Sequence, residues 1–271
     1  MLYVNSDNKY ETYTAHQALL QDSSVNGGVI VPLRLPVFTK NELSDIFNLG
    51  FLGSVTYVLN KFFPKRFTSD DLSLIVKAYI PASELLDRKT LLIHFSGKLQ
   101  MLEDTILKFL LDGAQANGLW ARCAIRISLL FGIFRELLFC GMRSLDFAVL
   151  SDDVLSFVPV FYGKLMGLPI NKIIVASSRE NDIWNYLHKG QRGSADVFKY
   201  FIYGLQTTSR NITDEDLFCA VVSNDRAEES ITNLQSTYKK NVDITAASSY
   251  GALQDYRAIT GENRTTIILN H

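Results

Sequence analysis

The sequence predicts an α/β protein, a largely parallel sheet flanked by helices and preceded by a helical N-terminal region. Three observations carry this. From Thr90 onward, short apolar runs of strand length recur. Helical segments separate most of these runs, and before Thr90 the chain shows helices with capped starts. Strands alternating with helices favour parallel pairing through crossover connections. The expected organisation is a helical region over 1–89 and an α/β domain over 90–271.

The elements follow in order. A helix near Tyr13 to Gln21 ends in the turn-rich Asp22-Ser23-Ser24-Val25-Asn26-Gly27-Gly28, and a short extended V-I-V-P follows. Thr39 and Glu42 form a T-x-x-E capping box, and Thr68 with Asp71 repeats the arrangement. Between them, Gly53 to Phe63 places Val55, Val58, Leu59 and Phe62 on one helical face, closed by Pro64. Strands are expected at Leu91 to Phe95, Phe147 to Leu150, Leu155 to Val158, Lys172 to Ala176 and Thr265 to Leu269. Helices are expected at Glu103 to Asp112, Leu119 to Cys140, Val160 to Met166 and several places after Glu180. Thr207 to Asn241 reads as a more polar, helix-rich segment with a capping T-x-x-D at Thr213 to Asp216.

Composition narrows the function classes. At 271 residues, 47% hydrophobic and 20% charged, the chain carries material for a large core. Its 27 Lys+Arg balance 28 Asp+Glu, so the totals show no footprint for nucleic acid or an anionic membrane. Three well-separated cysteines, Cys123, Cys140 and Cys219, read as buried free thiols of a reducing compartment. The polar start M-L-Y-V-N-S-D-N-K-Y-E lacks a signal-peptide core, and a cytoplasmic protein is expected. The longest apolar stretch, Ile125 to Cys140, includes Arg126, Arg135 and Glu136, which favours a buried helix over a membrane span.

Generic catalytic signatures are scarce. The four histidines, His16, His94, His188 and His271, have no zinc-binding spacing, so no metal site is expected. There is no G-x-S-x-G elbow, Walker loop or G-x-G-x-x-G. His94, inside an apolar run, reads as a satisfied core histidine, while Gly27-Gly28 and Asp152-Asp153 read as turns.

Four segments in order resemble one family. They are Gln17 to Thr39, with its glycine-glycine turn and V-P-x-x-L-P; Ala116-Asn117 with Trp120-Ala121-Arg122; Lys164 to Ile183, with M-G-L-P-I and a later N-D; and V-D-I-T-A-A-S-S-Y-G-A-L from Val242. Together they resemble threonine synthase, a pyridoxal-phosphate (PLP) enzyme of fold type II. The resemblance implies a remnant of the fold type II large domain, with phosphohomoserine as substrate and threonine as product if activity survives.

The departures fall on the chemistry. The family's F-H-G-P-T-x-A-F-K-D, whose lysine holds PLP as an imine, corresponds to Phe95 to Asp104, and Glu103 stands at the lysine position. A carboxylate cannot form that bond, and Lys98 and Lys108 are out of register. Phe157-Val158-Pro159 runs directly into Val160 to Lys164, so the phosphate-binding P-T-G-N-F-G loop is expected to be deleted. Twelve residues separate Asp104 from Asn117, where the family carries a substrate-binding segment. Asp243-Ile244-Thr245-Ala246 lacks the histidine of the family's D-P-H-T, and the N-terminal Y-x-S-T-R-G is reduced to Tyr3 to Asn8.

The expected function is therefore non-catalytic binding or assembly, with no catalytic or cofactor-binding residue and no bound PLP. A homo-oligomer or a protein partner is expected, because loss of a packed segment uncovers apolar surface. The helix from Ala124 to Cys140, with Ile127, Leu130, Phe131, Phe134 and Leu138, is a candidate for that surface; ordinary core packing is the alternative. Residual PLP-dependent threonine synthesis is the second reading. A third is a small-ligand sensor using a remnant cleft at Asn181 and Asp182, residues that alternatively cap the helix beginning D-I-W-N-Y-L.

Overall fold

A computed structural model describes residues 1–21, 23, 26–63, 67–76, 81–95, 99–113, 118–208 and 215–270. The N-terminal part comprises β1 (Tyr3–Asn5), β2 (Thr12–Tyr13), α1 (Ala15–Leu20), β3 (Ile30–Pro32), α2 (Lys40–Asn48), α3 (Gly50–Phe62) and α4 (Ser69–Val76). A hairpin, β4 (Ala82–Asp87) and β5 (Thr90–His94), leads to α5 (Leu99–Leu110), α6 (Leu119–Phe139), β6 (Leu145–Leu150), α7 (Val154–Met166) and β7 (Ile170–Ser177). The rest is α8 (Asp182–Lys189), α9 (Asp196–Thr207), β8 (Leu217–Val221), α10 (Asn224–Tyr238), α11 (Ile244–Thr260) and β9 (Thr266–Asn270).

Six strands form one sheet in the order β4-β5-β9-β6-β7-β8. The five from β5 to β8 are parallel, and β4 pairs antiparallel at the edge. Alternate side chains face opposite layers, as the two-residue period of a strand requires. Leu91, Ile93, Phe147, Val149, Ile173 and Val175 join the core shared with α3, α5, α6, α7 and α9. Leu92, Ala148, Ile174, Ala176 and Ile268 pack beneath α10 and α11. Helices on both faces explain why these strands read as continuous apolar runs.

The first core also reaches the N-terminal elements. The buried Tyr3 hydroxyl donates to the Phe62 carbonyl at 2.6 Å, and the Tyr203 hydroxyl to the Pro32 carbonyl at 3.1 Å. Helix α3 lies against α6 at Gly132, where a Cβ would meet the side chains of Phe51 and Val55 at 2.8 Å. Ile127, Leu130, Phe131 and Phe134 of α6 are buried in this core, so the helix offered as an association surface is an internal one.

The capping boxes of Thr39 with Glu42 and of Thr68 with Asp71 form as expected, and Gly27 and Gly28 turn with φ of +82° and +79°. Other expectations are corrected. The N-terminal region is not only helical: β1, β2 and β3 form a small antiparallel sheet. The run Leu155 to Val158 is not a strand but lies in the first turns of α7. β8 crosses the segment read as polar and helix-rich, and Cys140 is exposed whereas Cys123 and Cys219 are buried. Pro64, Lys98, Ala116, Asn117, Thr213 and His271 lie outside the described residues.

Candidate functional site

In an open parallel sheet, functional groups gather outside the carboxyl ends of the strands. Here that edge carries the turn between β6 and α7, the turn between β7 and α8, the end of the β4–β5 hairpin, and the start of α5.

Helix α5 buries Leu99, Leu102, Glu103, Ile106, Leu107 and Leu110. That spacing is the inward stripe of an amphipathic helix, and it carries Glu103 into the core with 1% of its side chain exposed. Two arginines one turn apart on α6 receive it. Arg126 Nε lies 2.5 Å from Oε1, and Arg122 Nη1 lies 3.0 Å from Oε2. Arg122 also reaches Asp104 at 2.7 Å. Burial works against its charge, yet these two carboxylates hold its pKa above the ordinary value.

Arg126 has a second role. Pro159 lies inside α7 and has no N–H, so the Leu155 carbonyl four residues earlier lacks its helical donor. Arg126 Nη1 donates to that oxygen at 3.0 Å. A proline that would otherwise orphan a carbonyl thus ties α7 to the Glu103 cluster.

The turn into α7 is Ser151-Asp152-Asp153. As expected for Asp152-Asp153, this is a turn; it links β6 to α7 earlier in the chain than Phe157 and carries two carboxylates and no glycine. Asp153 caps α7, accepting from Leu155 N at 3.1 Å and from the Ser156 hydroxyl at 2.6 Å. Asp152 accepts from Ser178 N at 2.6 Å and from Asn181 Nδ2 at 3.1 Å.

Asn181 caps α8 through Trp184 N at 3.0 Å and also donates to the Ser151 hydroxyl at 2.8 Å. Asp182 accepts from Ser194 N and Ala195 N, both at 2.8 Å, just before α9. Asn181 therefore caps the helix beginning D-I-W-N-Y-L, as the simpler sequence reading has it, whereas Asp182 does not cap that helix but holds the entry to α9. Both residues also rim an open cleft of about 560 Å³ together with Asp152, Arg179 and Glu180.

At the hairpin end, His94 Nε2 lies 2.5 Å from Glu84 Oε1, and its Nδ1 accepts from Asn270 Nδ2 at 2.9 Å. Lys240 pairs with the same glutamate and, as the main cause, holds its carboxyl below the usual range. Asp243 N donates to Asn270 Oδ1 at 2.8 Å, while the Asp243 side chain caps α11. His94 is satisfied on both nitrogens, but at a partly open strand end and not within the core. Lys108 is exposed on α5, on a different side of the helix from Glu103.

The comparisons with known proteins agree with this architecture. Residues 2–79 match the family model described as threonine synthase N terminus. Over 100% of this chain and 88% of its own, threonine synthase from Escherichia coli aligns with a TM-score of 0.75 at 15% identity. The chain has the threonine synthase fold. Threonine synthase from yeast aligns with a TM-score of 0.72 at 13% identity, covering 99% of this chain and 86% of that one. PLP-bound threonine synthase from Brucella melitensis gives 0.73 at 13%, covering 100% and 89%. No curated protein matches the sequence.

Whether the residues suit PLP is a question of donors. On the threonine synthase resemblance, the imine position is Glu103, an acceptor already engaged by two guanidiniums. The resemblance implies a phosphate loop that feeds a helix; at the turn into α7 a phosphate would meet Asp152 and Asp153, and Asp153 already takes the N-terminal N–H of Leu155. The described residues of this edge do not fit a lysine-bound, phosphate-bearing cofactor. Among them no group of metal-ligating side chains comes together, and no helix is long and apolar enough to cross a membrane.

Sequence reading located Glu103 but missed Arg122 and Arg126 as its partners. Their four-residue spacing inside an apolar helix was the available signal.

Proposed function

We propose that this protein is a cytoplasmic pseudoenzyme that uses the threonine synthase fold for binding or assembly, as a homo-oligomer or with a protein partner. The observation that carries the reading is Glu103, enclosed by Arg122 and Arg126 at the position the resemblance gives to the cofactor lysine. The carboxylates of the α7 turn support it independently, since an anion brought there meets Asp152 and Asp153.

The test is to titrate PLP into the purified full chain, follow the visible imine band, reduce with borohydride and map the modified residues. The expected result is weak, distributed labelling of surface lysines. Stoichiometric labelling of a single lysine, Lys98 or Lys108 being the obvious candidates, would instead favour residual conversion of phosphohomoserine to threonine.

A further inference from the structure

At the opposite end of the sheet, α2, the C-terminal end of α6 and the turn from α7 into β7 enclose an open cleft of about 800 Å³. Its apolar lining includes Leu43, Phe47, Leu168 and Ile170, and Phe139 stands beside it with 81% of its surface exposed. The Met166-Gly167-Leu168-Pro169 motif supplies part of this lining. Gly167 adopts φ of +118°, a left-handed helix end that favours glycine, and the chain then turns Leu168 inward.

The charged lining is of one sign. Lys40, Arg135 and Arg143 border the cleft, and among the described residues no carboxylate lines it. Arg135 lies over the Phe139 ring at 4.6 Å and pairs with Glu136, which is outside the lining. Lys40 and Arg143 are exposed and form no ion pair among the described residues.

We propose that this cleft binds a small amphipathic anion, an apolar chain or ring system bearing one carboxylate or phosphate head. The volume falls in the range of small-molecule sites, and apolar walls with a few placed polar groups are their usual construction. A hydrophilic anion would leave the apolar floor wet. A neutral apolar molecule would gain nothing from Lys40 and Arg143, whose field is strengthened by the low-dielectric wall beside them. The acidic outer face of α10, with Asp225, Glu228 and Glu229, matches the charge but presents Thr232, Asn233 and Ser236 beside them, and so brings no apolar side chain to fill the floor. The inference does not depend on whether the opposite edge of the sheet is catalytically silent.

Decanoate and decyl phosphate are suitable probes, measured by calorimetry against the full chain at several salt concentrations. One molecule of either should bind per chain, more weakly as salt rises. The double variant Lys40→Glu, Arg143→Glu, in which both substitutions are at exposed positions, should lose about tenfold or more in affinity while keeping the wild-type thermal melt. If only one probe binds, the head group is thereby assigned. Unsaturable uptake, equal binding of decyltrimethylammonium, or undiminished affinity in a folded double variant would overturn the proposal. So would a dimer that decanoate cannot dissociate and the double variant abolishes, because the cleft would then belong to a second copy of the chain.

Discussion

Glu103 is enclosed so fully that replacing it tests Arg122 and Arg126 as much as itself. In Glu103→Lys a third cation would face two buried guanidiniums, and the expected loss is about 3–5 kcal/mol, the range for breaking a buried pair. Urea denaturation measures it; an unchanged midpoint would mean that the cluster contributes nothing. The new lysine should also fail to give a specific imine, since the α7 turn keeps its two carboxylates. Asp146 offers a second test with a defined sign. Burial raises its carboxyl above 3.8, although Asn171 and the Lys172 amide donate to it. With the folded pKa above the unfolded one, its contribution to stability is fully present below the unfolded value and is lost as pH rises through the folded pKa. The stability of Asp146→Asn relative to wild type should therefore grow as pH rises from about 4 towards neutrality. A difference independent of pH would contradict the raised carboxyl. The inward position of Glu103 is legible in the spacing of Leu99, Leu102, Ile106 and Leu107. Its partners are signalled only by the four-residue spacing of Arg122 and Arg126, because the ion pairs themselves, across 19 and 23 residues, leave no local pattern.

Helix α7 shows how an element can mislead. Leu155 to Val158 is apolar and of strand length, and Pro159 suggests a break. The helix continues because Arg126, from another helix, serves the carbonyl that the proline leaves without a donor. β4 escaped sequence reading because A-S-E-L-L-D has the polar character of an edge strand. By contrast, the capped starts of α2 and α4 involve contacts three residues apart, and such local chemistry is readable directly. Thiol chemistry distinguishes the elements experimentally. Cys140 ends α6 at the surface, Cys123 is enclosed within the same helix, and burial pushes the Cys219 thiol in β8 up to about 12. A soluble alkylating reagent at mildly alkaline pH should modify Cys140 rapidly and the other two only as the protein opens. Equal rates for all three would contradict the packing of α6 and β8.

At the scale of the molecule, the α/β class is legible because covered parallel strands and their helices leave long alternating signals. The small β1–β3 sheet is legible only in β3, the extended V-I-V-P, since strands of two or three residues fall below any useful periodicity. Strand order is equally hidden, and its least local feature is β9, which lies between β5 and β6 although it follows the other described strands in sequence. A chain lacking residues 263–270 should accordingly lose cooperative unfolding, measured by circular dichroism during a urea titration; a single steep transition would show that the remaining strands close without β9. The same placement bears on how the protein is made. While the ribosome is still producing α11, the β4–β5 hairpin and the β6–β7–β8 group can each form, but each presents an open strand edge to the other. Only five residues join them, and these must clear the exit tunnel before they can insert. Translation of this chain thus carries an interval in which two half-sheets are present without their seam, the period in which a nascent-chain chaperone has most to protect.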